Sequence, residues 1–154
     1  LAASAGLTVA PHALARLADG ACVYLTRRFD RPAPGRKIHQ EDFCQLAQKL
    51  TEDKYKSSLE QVARLLLAFA SNPGADAVRF WILCVFCFLT GNSDMHLKNF
   101  SLQHLPYGIR LSPAYDLLNV RLAFPSDQEE SALTLNGKRS RFQKEDFLQL
   151  ASWL

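Results

Sequence analysis

The chain has 154 residues, 48% of them hydrophobic and 21% charged. That suits one globular domain with a real core. The net charge of +3 is too mild to argue for a nucleic-acid partner and would equally suit a phosphate-bearing substrate.

Residues 1–20 read as small and weakly helical. Residues 21–29 read as a strand, because Cys22, Val23, Tyr24, Leu25 and Thr26 are β-formers. Arg31-Pro32-Ala33-Pro34-Gly35 ends it, since proline and glycine cannot continue the ladder there. A subdomain boundary is expected at this point. Residues 40–50 read as an amphipathic helix with Phe43, Leu46, Ala47 and Leu50 on one face. Ser57 and Glu60 fit a capping box ahead of a second helix, which is lined by Leu59, Val62, Ala63, Leu66 and Ala70. Asn72-Pro73-Gly74 stops it. Residues 75–90 form a third, fully buried helix, with Gly91 at its C-cap. Its apolar run is too short for a bilayer, which needs about 20 such residues.

Residues 100–102 and 108–111 read as two short strands around the turn material Pro106-Tyr107-Gly108. Residues 117–130 are irregular and end in a polar loop, Pro125-Ser126-Asp127-Gln128-Glu129-Glu130. Residues 132–135 with Asn136-Gly137 read as a strand and tight turn. Residues 144–154 start a last helix with Phe147, Leu150, Ala151 and Leu154 on one face. No internal repeat is present. The fold class expected is mainly α with a few short strands (α+β), and both ends look cut.

Cys84-Val85-Phe86-Cys87 spells a CxxC. No second pair and no suitably spaced Cys/His accompany it, so buried thiols are expected rather than zinc. With Cys22 and Cys44 the four cysteines suggest no disulfide framework, and Leu1-Ala2-Ala3-Ser4-Ala5-Gly6 has no basic n-region of a signal peptide. A cytoplasmic location is the expectation.

Chemistry concentrates in Gly91-Asn92-Ser93-Asp94-Met95-His96-Leu97-Lys98-Asn99-Phe100 and in Leu111-Ser112-Pro113-Ala114-Tyr115-Asp116. An Asp, four residues and an Asn is the spacing of a phosphotransferase catalytic loop. Asp94 would accept the proton of an attacking hydroxyl. Asn99 and Asp116 offer the oxygen ligands that magnesium prefers. Lys98 would steady the transferred phosphoryl group. The plain alternative is a solvated polar turn; the preceding helix, the following hairpin and the second Asp weigh against it. His96 would brace the loop or touch nucleotide. Tyr115 would pack beneath nucleotide or simply sit in the core. Asn92 and Ser93 would cap the turn. Arg27-Arg28-Phe29-Asp30-Arg31 would read an adenine edge and ribose, or protect an edge strand. Lys138-Arg139-Ser140-Arg141 reads as a solvated turn ahead of a nucleic-acid contact. His12, His39 and His104 have no partners at ligand spacing and read as surface residues.

These motifs resemble the C-terminal part of HipA-type serine/threonine kinases, toxins of bacterial toxin–antitoxin pairs. The resemblance runs through Tyr24-Leu25-Thr26-Arg27-Arg28-Phe29-Asp30-Arg31, then Gln40-Glu41-Asp42-Phe43-Cys44-Gln45, the two chemical segments, and Leu133-Thr134-Leu135-Asn136-Gly137-Lys138. It implies a protein-kinase-like C-lobe. Residues 1–30 would be N-lobe edge and hinge, and residues 31–154 a truncated C-lobe. It implies ATP and Mg2+ as cofactors, with Asp94 as base, Asn99 and Asp116 as metal ligands, and Arg28, Phe29, Asp30, His96 and Tyr115 around the nucleotide. It implies a protein Ser/Thr substrate, in studied cases an aminoacyl-tRNA synthetase. An antitoxin of HipB type would be the partner, with DNA reached only through it and no membrane. Residues 118–131 take the place of an activation segment, expected to be mobile. No glycine-rich phosphate loop or N-lobe lysine is present, so the fragment alone is expected to be a poor kinase. A pseudokinase or interaction module, or a lipid or small-molecule kinase, are the other readings.

Overall fold

A computed structural model describes residues 1–126 and 128–154; residue 127, within the expected polar loop, lies outside the described residues. Strand β1 (His12–Arg16) replaces the weakly helical form expected of residues 1–20, where the helical content is one 3-10 turn at Ala3–Ala5. It pairs antiparallel with β2 (Cys22–Thr26), from His12 opposite Thr26 to Arg16 opposite Cys22. Asp19-Gly20 makes the hairpin: Gly20 takes φ 86°, and the Asp19 carboxylate accepts the Ala21 N–H at 2.9 Å.

A second sheet has the order β3 (His39–Asp42), β4 (Ser101–Leu105), β5 (Gly108–Leu111), all antiparallel. The helix expected over residues 40–50 is therefore strand at residues 40–42 and a single short helix, α1 (Phe43–Leu46), after it. Asp42 explains the switch. Its carboxylate accepts the Gln45 N–H while the Gln45 side chain takes the Asp42 N–H, a closed capping box. Gln48 at φ 53° ends the turn soon after.

Helix α2 (Leu59–Phe69) buries Leu59, Val62, Ala63 and Leu66, as the spacing requires. Its cap is Ser58, not Ser57, because the Ser57 carbonyl already accepts the Thr134 N–H. Glu60 reaches instead to the Asn136 N–H at 2.7 Å. Asn72 caps the next helix rather than only stopping α2, and Pro73 stands at its first position. This is α3 (Pro73–Leu89). It is not buried all round: Phe80, Leu83, Cys84 and Cys87 are buried, while Leu89 is 74% exposed. Asp76, fully buried in its first turn, holds Arg79 at 3.0 Å and Arg110 of β5 at 2.9 Å. That triad locks α3 onto the sheet.

Two short pieces differ from expectation after the hairpin. Residues 120–123 form a helical turn, α4 (Val120–Ala123), capped by Asn119. Residues 132–135 make isolated bridges, Ser58 to Thr134 and Leu135 to Lys138, rather than a strand. The tight turn is present, with Asn136 at φ 50° and Gly137 at φ 75°. Helix α5 (Lys144–Ser152) buries Phe147 and Leu150 but leaves Ala151 exposed.

The core joins both halves of the C-terminal region. Phe43, Phe80, Phe100, Leu66, Leu97, Leu102, Leu133, Leu135 and Leu150 are all buried below 2% exposure or close to it, each stabilising by roughly 1.5–3 kcal/mol. Phe100 lies edge-on to Phe80 at 5.5 Å and to Phe43 at 6.4 Å. The four thiols are free; Cys44, Cys84 and Cys87 are buried and Cys22 is exposed. Burial pushes the Cys87 thiol up to about 12, so this CxxC is packing, not redox chemistry. No helix among the described residues is long and apolar enough to cross a membrane.

Candidate active site

Gly91 follows α3 in the left-handed region, at φ 68°, and turns the chain into the loop that carries Asp94. Met95, Leu97 and Phe100 alternate with the polar residues and are buried. They fasten the loop to the core from beneath. A 3-10 turn at Leu97–Asn99 completes it. The Asp94 carbonyl accepts both the His96 N–H at 2.9 Å and the Asn99 side-chain amide at 2.9 Å. Asn99 is thus fixed through its nitrogen, which leaves its amide oxygen as the atom for a cation. The Asp94 carboxylate accepts a hydrogen bond from the Tyr55 hydroxyl at 3.0 Å. Burial and the adjacent Asp94 hold the Tyr55 hydroxyl above the usual phenol range, so it stays a donor.

Asp116 arrives by the β4–β5 hairpin. It is exposed and sits at φ 56°, a costly conformation for a non-glycine residue that persists only where surroundings impose it. Asn92 imposes it: its amide donates to the Asp116 carbonyl at 3.2 Å. So Asn92 ties the two chemical segments together rather than only capping a turn. His96 lies between them. Burial lowers its basicity first and Lys54 lowers it further, with Asp94 and Asp116 both opposing. Its imidazole packs edge-on to Tyr55 at 5.1 Å, and its buried Nδ1 has no hydrogen-bond partner among the described residues. Loop bracing and a contact kept for a ligand are both compatible with that arrangement.

Two openings flank these carboxylates. A cleft of about 320 Å³ is lined by Asp94, Tyr55, Leu118, Val120, Phe124 and Ala132, among others. A larger cavity of about 680 Å³ is lined by Asp116, Tyr115 and Leu118 together with Tyr24 and Thr26 of β2. Its size falls within the range of small-molecule sites.

The HipA-like C-terminal domain profile matches residues 1–153. The chain belongs to the HipA-like C-terminal domain family. It is 36% identical over 147 residues to the Sinorhizobium fredii protein named "Putative kinase Y4mE", covering 90% of this chain and 34% of that one. A second protein of that organism, Y4dM, carries the same kinase name and is 36% identical over 135 residues, covering 82% of this chain and 31% of its own length. The chain thus spans about a third of these relatives. In fold it is similar to the toxin–antitoxin HipA of Shewanella oneidensis, solved with HipB and operator DNA, with TM-score 0.84, 24% identity, and 98% of this chain and 40% of that one covered. It is also similar to the Helicobacter pylori proinflammatory kinase CtkA, with TM-score 0.64, 18% identity, and 96% and 62% covered. The α+β fold thus matches part of each of these larger proteins.

The other residues expected at the site have clear places in the fold. Lys98 is half-exposed but its ammonium is held by Asp42 at 2.7 Å, which raises its pKa. Tyr115 donates to the Lys98 carbonyl at 2.7 Å and bonds the Ser101 hydroxyl; burial raises its pKa strongly. Phe29 packs on the Tyr115 ring at 5.6 Å, which brings the expected hinge to the site. Arg28 and Asp30 pair with one another; this lowers the Asp30 pKa. Arg139 is no free nucleic-acid contact: it donates to the Tyr55 carbonyl at 2.7 Å. Lys138 pairs with Asp146 at 2.8 Å. Tyr55, Asp42 and Ser101 were not singled out from the sequence. Tyr55 sits in a loop 39 positions from Asp94, and no local pattern announces that contact.

Proposed function

We propose that this domain is the C-lobe of a HipA-like kinase, with residues 1–30 its N-lobe edge and hinge, and that the parent protein transfers the γ-phosphoryl group of ATP to a protein Ser or Thr hydroxyl. The observation that carries the reading is the double anchoring of the loop: Asp94 held by Tyr55 at the mouth of a cleft, with its carbonyl fixing Asn99, and Asn92 fixing Asp116.

In this reading Asp94 orients the substrate hydroxyl in the smaller cleft and accepts its proton. Asn99 and Asp116 are hard oxygen donors and fit a magnesium ion. Bound Mg-ATP would supply the phosphoryl group, with the metal neutralising charge as the bond to the leaving oxygen loosens. The larger cavity receives the nucleotide against Tyr115, which lines it and is backed by the Phe29 ring. Lys98 serves mainly as a strut: its pairing with Asp42 fixes the loop to the N-cap of α1. A protein substrate, a HipB-type antitoxin and a cytoplasmic setting follow by likeness to the HipA family.

The test is phosphotransfer from radiolabelled ATP by the intact kinase. Asp94→Ala and Asp116→Ala are each expected to lose roughly 10²–10⁴-fold in rate. Wild-type rates in both variants would refute the assignment. The engagement of Lys98 by Asp42 favours one other reading, a nucleotide-binding module without turnover. That reading predicts magnesium-dependent nucleotide binding in the intact wild type with no transfer to any protein.

A further inference from the structure

His39 and His104, read from the sequence as unpartnered surface residues, are directly opposite one another in the β3–β4 ladder. Their rings lie 4.7 Å apart. Glu41 is two residues beyond His39, so its side chain emerges on the same face. Its Oε2 is 2.9 Å from Nε2 of His104 and 3.6 Å from Nε2 of His39. The ligand atoms of the three residues all lie within 4.8 Å of one another.

We propose that His39, Glu41 and His104 form a binding site for one divalent transition metal of the zinc class. An ion about 2.0–2.1 Å from nitrogen and oxygen ligands in tetrahedral array needs ligand separations of about 3.3 Å. The two Glu41–imidazole separations bracket that value, and the two imidazoles, whose ligand atoms lie within 4.8 Å of each other, reach the ion by rotation of exposed side chains. Two imidazoles and a carboxylate are a borderline donor set that suits zinc, copper or nickel, in contrast to the all-oxygen pair Asn99 and Asp116, which suits magnesium. The side chains of His39, His104 and Glu41 are 61%, 37% and 34% exposed, which leaves an entry path and room for water as a further ligand. The ligands stand on paired strands rather than loops, which holds their spacing.

The site is separate from the proposed phosphotransfer centre and does not rest on that reading. It occupies the face of the sheet opposite Gln40, whose amide bonds the Ser101 hydroxyl beneath Tyr115. A bound ion would clamp β3 to β4 in the register that sets Asp42 opposite Ser101.

The test is titration of the chelator-treated chain with zinc chloride, following bound metal and thermal unfolding. One zinc per chain is expected, with a melting temperature raised by roughly 5 °C at zinc far above its dissociation constant. Magnesium chloride at the same concentration should not reproduce the shift. His39→Ala/His104→Ala should keep the metal-free melting temperature, since both residues are exposed, and lose the zinc response. His39→Gln/His104→Gln provides the same test with polar side chains retained. Absence of stoichiometric zinc binding by the wild type would overturn the proposal. So would wild-type zinc binding by either double variant, because the ion would then sit elsewhere.

Discussion

Tyr55 holds one oxygen of the Asp94 carboxylate, so its role is to aim that group. Tyr55→Phe removes a single hydrogen bond and keeps the ring that packs on His96. In the intact protein it should lower kcat of the proposed transfer about five-fold, the equivalent of about 1 kcal/mol, with little change in KM for ATP. A matching rise in KM would assign Tyr55 to nucleotide binding instead. Asp146 is a second residue whose environment does measurable work. Asn136, Lys138 and the Gln143 N–H bring its pKa from 3.8 to about 2. A folded pKa below the unfolded one contributes stability that is present above about pH 3.8 and lost as pH falls through about 2. Asp146→Asn should therefore be less stable at neutral pH, with a smaller loss of stability between pH 4 and 2 in acid melts. An unchanged acid slope would contradict the pairing. His96 runs the same way at higher pH. Its lowered pKa means that its neutral form supports the fold above about 6.5, and that support is lost as acid protonates it.

At the level of elements, the triad of Asp76, Arg79 and Arg110 joins α3 to β5 and so sets where the segments that follow them, tied by Asn92 to the Asp116 carbonyl, approach one another. Asp76→Ala would leave two arginines without their buried carboxylate. It should cost roughly 3–5 kcal/mol in denaturant unfolding, and a loss under 1 kcal/mol would show that the triad is dispensable. Local signals read well where one element needed only itself. The α2 face from Leu59 to Leu66 and the β4–β5 hairpin around Pro106-Tyr107 could be read from spacing and turn chemistry. Residues 39–42 could not. The helical spacing of Phe43, Leu46, Ala47 and Leu50 placed the start of a helix at residue 40, but the pairing of residues 39–42 with residues 101–104, some sixty positions away, outweighed it. β1 was missed although Asp19-Gly20 marks a hairpin, because its residues lack β-branched character.

For the whole molecule, the candidate motifs stood out in the sequence because the proposed phosphotransfer would need fixed residue types at fixed spacing within a short loop. Their supports were not, since Tyr55, Asp42 and Asn92 act across the fold. In the proposed phosphotransfer centre, an HipA-like domain, two adjoining openings and a pair of oxygen ligands act together. A crystal structure of the intact kinase with magnesium and a non-hydrolysable ATP analogue tests this most directly. One magnesium ion is expected, with the Asn99 amide oxygen and an Asp116 carboxylate oxygen each about 2.0–2.1 Å away and the Asp94 carboxylate facing the terminal phosphate. A bound nucleotide whose magnesium touches neither residue would contradict it.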